Sequence, residues 1–308
     1  MRRSRLFTIP ALLVLLVLAL VASGCGAGAD SDSGAPGEGT SSEAPDVSRL
    51  VSESFAAAAN RSAHYVVDAT LTLETDGNAD PQLAAFAQSP MTLHIEGDSS
   101  DKAVTADGSV SFMGQTFTAN LLAGEHEVYV NFLGSWYGQK DVGLADLGAL
   151  EAQQSSTAGS GPSDEELIAR LGEFFTGAVS EGPLTDGVET WQVDGRLSSD
   201  GILKLADEYG AGALGAEERK VVDQIINALT LAVVVGREDL LPRHFELGFS
   251  LSADDFAGFG VTQEQMDGLE SLDLELTADM SDYGKTVSVQ APAQYQPIEK
   301  LFGQFLGF

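Results

Sequence analysis

The stretch Ala63-His64-Tyr65-Val66-Val67-Asp68-Ala69-Thr70-Leu71-Thr72-Leu73-Glu74 decides the fold. Tyr65, Val67, Ala69, Leu71 and Leu73 alternate with His64, Val66, Asp68, Thr70, Thr72 and Glu74. Successive side chains of a strand point to opposite faces, so this period of two describes a strand with one buried and one wet face. The alternation recurs in Met91-Leu93-Ile95, Val104-Ala106 with Val110-Phe112, Phe117-Ala119-Leu121 and Val128-Val130-Phe132. Breaks at Met113-Gly114 and Ala123-Gly124 suit hairpin turns, which predicts an antiparallel meander.

Outward from this meander the period changes. Upstream, Leu50, Val51, Ser54, Phe55 and Ala58 recur at helical spacing between Asp46, a suitable N-cap, and Asn60. Downstream, Gln153 to Gly161 is a polar loop, and Ser163 with Glu166 makes a capping box before Leu167, Leu171, Phe174 and Phe175 on one helical face. A strand is predicted from Val188 to Leu197, then helices from Ser198 to Tyr209 and Ala216 to Ala228 across the turn Gly210-Ala211-Gly212-Ala213. Further strands are predicted over Leu231 to Val235, Arg243 to Leu251, Leu272 to Met280 and Thr286 to Gln290, and an amphipathic tail helix includes Ile298, Leu301, Phe302, Phe305 and Leu306. No fixed-period repeat is present. Two groups of strands with helices before and between them predict one α+β domain over residues 46–308, a large antiparallel sheet with helices collected on one face and a polar outer face.

The first residues read as an export signal. Arg2, Arg3 and Arg5 precede an apolar run from Ala11 to Ala22, shorter than the roughly 20 residues needed to span a hydrocarbon core. Val21-Ala22-Ser23-Gly24-Cys25 follows and resembles the lipobox of bacterial lipoproteins, with Ala22 where Leu is usual. Cys25 is the only cysteine of the 308 residues. A signal peptide cut elsewhere leaves it as an unpaired thiol in an oxidising compartment, and lipidation accounts for it better. The expectation is therefore a leader over residues 1–24, an acylated Cys25 anchored to the outer leaflet of the cell membrane, and a tether over 25–45. That tether is rich in Gly, Ser, Ala and acidic residues, a composition that buries too little to order itself.

Charge narrows the function. With 46 acidic against 16 basic residues the net charge is -30, and the leader carries away three of the arginines. Nucleic-acid binding through phosphate neutralisation is excluded. Anionic headgroups repel such a surface, so membrane contact must come from an acyl anchor or an apolar patch.

Four stretches resemble a known family: Ala56-Ala57-Ala58-Ala59-Asn60-Arg61-Ser62-Ala63-His64-Tyr65; Gly134-Ser135-Trp136-Tyr137; Asp186 to Gly195, which includes Trp191 and Val193; and Glu238-Asp239-Leu240-Leu241-Pro242-Arg243. They are similar to parts of the LppX/LprA/LprF/LprG lipoproteins of actinobacteria, which share the LolA-like half-barrel fold. The resemblance implies a large curved antiparallel sheet whose concave face, closed by helices, encloses an apolar cavity for the acyl chains of a lipid or lipoglycan. The chain is longer than such proteins, mainly over residues 153–161 and 203–228.

Chemical motifs are incomplete. His126-Glu127 starts like a zinc-protease helix, but Val130 stands where the second histidine belongs, and the segment alternates as a strand. Asp76, Asn78 and Asp80 imitate calcium-loop positions, yet Pro81 replaces the glycine and Ala87 the bidentate glutamate. Ser99 and Lys102 have the spacing of a serine–lysine pair but sit at an acidic hairpin tip. His64 and His94 lie on polar strand faces near Asp68 and Glu96 and read as solvated, and His244 reads as exposed. No catalytic residue, metal or cofactor is expected.

The leading expectation is a non-catalytic lipoprotein that holds acyl chains for transport or presentation in the envelope, with an unspecified membrane transporter as a possible partner. The candidate wall residues are Leu71, Leu73, Leu93, Ile95, Phe117, Leu121, Val128, Val130, Trp191, Val193, Phe245, Leu247, Phe249, Leu272, Leu274 and Leu276. Each has closed core as its plain alternative. The alternative function is an envelope-anchored protein-binding or assembly module with a dry core and no lipid cargo.

Overall fold

A computed structural model of the chain describes residues 45–59, 61–144, 170, 174–208, 215–258 and 268–301. The expected leader, Cys25, the tether up to residue 44, the capped helix start at Ser163 and the Gly210-Ala213 turn lie outside the described residues.

The elements follow in the order α1 (Val47–Ala58), β1 (Ala63–Thr75), α2 (Pro81–Ala87), β2 (Met91–Ser99), β3 (Val104–Phe112), β4 (Gln115–Ala123), β5 (Glu127–Phe132), β6 (Ser135–Lys140), β7 (Phe175–Glu181), β8 (Thr190–Leu197), α3 (Ser199–Glu208), α4 (Ala216–Asn227), β9 (Leu229–Gly236), β10 (Pro242–Ser252), α5 (Ala253–Gly258), β11 (Leu269–Ser281) and β12 (Gln296–Pro297). The described strands join one open sheet in the order β12-β6-β5-β4-β3-β2-β1-β11-β10-β9-β8-β7. Every pairing is antiparallel except the short β12–β6 contact. The predicted α+β class with a large antiparallel sheet is thus what the structure shows. The long strands β1 and β11 unite its two groups, pairing from His64 opposite Ser281 to Leu73 opposite Leu272.

Register puts the apolar positions in rows. One row runs Phe132, Ala119, Gly108, Ile95, Val67, Ala278, Phe245, Val233, Val193, Val179, from β5 through to β7. A slip by one residue in any strand would turn its half of this row to the other face, so one buried face fixes the register.

Helices cover this inner face over one half of the sheet. Asp46 caps α1 by accepting from the Arg49 amide at 3.1 Å. Leu50 and Val51 pack on Val193, Val233 and Val235. Burying such side chains contributes about 2 kcal/mol apiece. α1 lies against β7 and β10, α4 against β8 and β9, α5 against β10 and β11, and α2 against β1.

Three expectations need correction. Phe175 does not continue a helix: after a 3-10 residue at Phe174 it opens β7, where Phe175, Gly177 and Val179 face the row of Leu197, Gly195 and Val193. The pair also fits a helical face with Leu167 and Leu171, and pairing with β8 decides the matter. Thr286 to Gln290 is not a strand, because the chain after β11 meets no ladder until Gln296 lies beside Tyr137. Two short helices, α2 and α5, are present besides those expected. The outer face is not uniformly polar either: Tyr129 is fully buried there, its ring edge-on to Tyr295 at 4.9 Å, because the segment after β11 returns across β5 and β6.

Candidate functional site

The sixteen candidate wall residues share the inner face, but the structure divides them. Val128, Val193, Leu247, Phe249, Leu274 and Leu276 are buried; Leu71, Leu73, Leu93, Ile95, Leu121, Val130, Trp191, Phe245 and Leu272 are half-buried; Phe117 is exposed. Leu247, Phe249, Leu274 and Leu276 form a closed cluster with Leu229, Leu231 and Phe256, against which Leu71, Leu73, Leu93, Ile95, Phe245 and Leu272 pack. Val193 is filled from above by α1. The guanidinium of Arg237 stands 4.0 Å over the Trp191 ring while its Nε donates to the Thr190 carbonyl at 3.0 Å. On the half from β7 to β11 the inner face is therefore packed.

The half from β2 to β6 differs. Leu93 faces Val110, Val110 faces Phe117, and Leu121 faces Val130, which faces Tyr137. The described helices pack chiefly against β1 and β7–β11, and along this stretch Leu93, Ile95, Leu121 and Val130 are half-buried and Val110 and Phe117 exposed, whereas Ala123, Val128 and Tyr137 on the same face are buried. It is an apolar strip about five strands wide, on the order of 20 Å at the usual strand spacing, and long enough to take an acyl chain laid across it. Val110 is a residue that the sequence reading passed over; its place opposite Leu93 and Phe117 makes it part of this strip. The signal was present in the alternation Val110-Phe112.

Two surface depressions lie elsewhere. One of about 380 Å³ is lined by Glu125, His126, Glu127, Lys140 and Asp141, and another of about 560 Å³ by Leu73, Glu74, Thr75, Ala84, Ala87, Gln88 and Glu270. Their charged and amide edges do not suit an acyl chain.

The outer face carries paired histidines. His64 Nδ1 is 3.1 Å from Asp98, His94 Nδ1 is 2.8 Å from Asp68, and His244 lies between Asp279 at 2.7 Å and Glu246 at 2.9 Å. His244 is thus half-buried and held on both ring nitrogens, not free in solvent as its sequence context suggested. Burial acts to lower its pKa, and the two carboxylate partners overcome this and raise it. Among the described residues no group of three or more His, Cys, Asp or Glu is placed to hold a metal ion. The Asp76 region is a turn in which Asp76 accepts from the Asn78 amide at 2.7 Å.

The wide open antiparallel sheet with one apolar and one polar face defines the class of fold. No family model matches the chain, and no curated protein matches it. Among solved structures it is similar to the lipoprotein LppX of Mycobacterium tuberculosis, at 11% identity and a TM-score of 0.36 over 79% of this chain and 98% of that one. It is similar also to LprF of Mycobacterium bovis, at 12% identity and a TM-score of 0.35 over 82% of this chain and all of that one (100%). At these identities and TM-scores neither likeness fixes the role of this chain.

Proposed function

We propose that the chain is an envelope lipoprotein, exported by residues 1–24, acylated at Cys25, tethered through 25–45, and folded over 46–308 as a carrier that shelters the acyl chains of a lipid or lipoglycan. The carrying surface is the inner face of β2–β6. The observation that supports this most lies toward the open corner of that face: Val110 and Phe117 are exposed and Leu121 and Val130 half-buried, where Val193, Leu247 and Leu274 on the other half are buried in clusters. An acidic protein gathers no anionic headgroup by attraction, so affinity has to come from burying methylenes, at about 0.8 kcal/mol each. A dozen methylenes then supply on the order of 10 kcal/mol before ordering costs. The role proposed is binding for transport or presentation, without catalysis.

The test is uptake of a fluorescent fatty acid by the purified protein. Leu121→Asp with Val130→Asp, facing each other across β4 and β5, should abolish uptake. Val234→Thr, on the outer face of β9, should leave it unchanged. Equal uptake by the wild type and the Leu121/Val130 double variant would remove β2–β6 as the carrying surface, and no uptake by the wild type would favour the protein-binding module.

A further inference from the structure

Among the described residues six large apolar side chains are exposed, and four of them, Val110, Met113, Phe117 and Leu133, sit at one corner of the sheet. β3 and β5 both run antiparallel to β4, so the turn Met113-Gly114 and the turn Leu133-Gly134 open at the same end. The last β4–β5 pair is Ala119 with Phe132, which leaves Gln115 to Thr118 projecting beyond β5 and Phe117 uncovered. The Phe86 ring of α2 meets Phe112 at 4.5 Å and braces this corner.

The turns are made against local preference. Met113 and Leu133 both have φ of 50°, with Gly114 and Gly134 at 73° and 81°. Asn, Asp or Gly fill such positions at least cost, and Asp does so at 141, 186 and 282. Here the tips carry Met and Leu, 50% and 66% exposed.

The corner is also uncharged. In a chain of net charge -30, no Asp, Glu, Lys or Arg occurs from Pro81 to Ile95, from Gly108 to Gly124 or from Val128 to Gln139. Those three segments supply α2, the β3–β4 hairpin and the β5–β6 hairpin. Protruding apolar tips without a charged rim fit an interface of bilayer headgroups and acyl chains better than a protein partner, which is read by a polar rim as well.

We propose that the β3–β4 and β5–β6 hairpin ends dip into the surface of the membrane, with Met113 and Leu133 as the inserted side chains, so that cargo passes between bilayer and inner face without crossing water. This rests on the acyl-carrier reading of the adjoining strip. The anchor permits it: the segment from Cys25 to Pro45 reaches about 70 Å when extended, enough for this corner to meet the leaflet that would hold the anchor.

The test uses the full chain with an environment-sensitive fluorophore on Met113→Cys, Leu133→Cys or Leu184→Cys, since Leu184 is exposed at the opposite end of the sheet. With phosphatidylcholine vesicles carrying doxyl-labelled lipid, the labels at 113 and 133 should shift to the blue and be quenched, and the label at 184 should not. Labels at 113 and 133 that stay as wet as the one at 184 overturn the proposal, and a self-association lost in a Met113→Asp, Leu133→Asp double variant would then assign the corner to protein contact. Asp suits both positive-φ positions, so that variant keeps the fold. It should take up monomeric fatty acid from water as the wild type does, yet extract it from vesicles about tenfold more slowly. If the wild type takes up no fatty acid by either route the carrier reading fails, while the fluorophores still decide membrane contact.

Discussion

Phe86 on α2 and Phe112 at the end of β3 meet edge to face, their ring centroids 4.5 Å apart and their planes at 61°. This contact ties the first short helix to the β3–β4 hairpin, the part of the sheet that otherwise projects beyond its neighbours.

Phe86→Ala should therefore loosen that hairpin. The expected loss is about 2 kcal/mol in denaturant unfolding, from lost burial plus the aromatic pair itself. Amide exchange should quicken from Ser109 to Thr118 and stay unchanged in β10 and β11. Uniformly faster exchange throughout the sheet would contradict a local brace.

Gly138 is a close-approach glycine. A Cβ placed there would lie 2.2 Å from Cδ1 of Tyr129 and 3.1 Å from Cδ2 of Tyr295. Since Tyr129 is fully buried, Gly138→Ala should cost about 1–3 kcal/mol and detach the segment that β12 holds to β6. Limited proteolysis after Tyr283 should be faster in the variant than in the wild type. A variant as resistant as the wild type would show that the segment is held otherwise.

The buried guanidinium of Arg243 is paired with Asp239, which also accepts from the Leu241 amide at 3.1 Å, and it faces the Tyr283 ring at 5.3 Å. Asp239→Ala leaves that charge uncompensated and should cost about 3–5 kcal/mol. Asp239→Asn, which still accepts from Leu241, should cost less, and thermal unfolding of both variants checks the order. Equal losses would place the effect in the turn and not in the pair.

His244 predicts a pH dependence. Its folded pKa is raised above the ordinary 6.5, so its contribution to stability is full below that value and is lost as pH rises through the raised one. His244→Gln should flatten this part of the stability profile, and an NMR titration of the imidazole should show a midpoint above 6.5 that falls in Asp279→Asn. A midpoint that does not move would show that Asp279 is not the partner.

The strands were legible where alternation is strict. β1 reads directly from Tyr65 to Leu73, and β10 from Phe245 to Leu251, because one face of each is buried and the other wet. β7 was not, since Phe174-Phe175 satisfies a helical face as well as a strand and only pairing with β8 chooses. Thr286 to Gln290 shows the converse: alternation states which side chains seek cover, not whether a partner strand is present. α5 carries a readable signal, Ser252 and Asp255 capping each other. The candidate wall was legible as a face and illegible as two halves. Val193 and Val130 are the same residue type at the same periodicity, and what separates them is that α1 lies over one and no described helix is seated on the other.

Native mass spectrometry of the exported, full-length protein, released gently from bacterial membranes, decides whether the chain carries lipid. A carrier should show a population heavier than the acylated chain by the mass of a diacyl or triacyl lipid, and should lose it when Leu121 and Val130 are both replaced by Asp. A single species at the mass of the acylated chain alone, unchanged by those substitutions, would contradict the carrier reading.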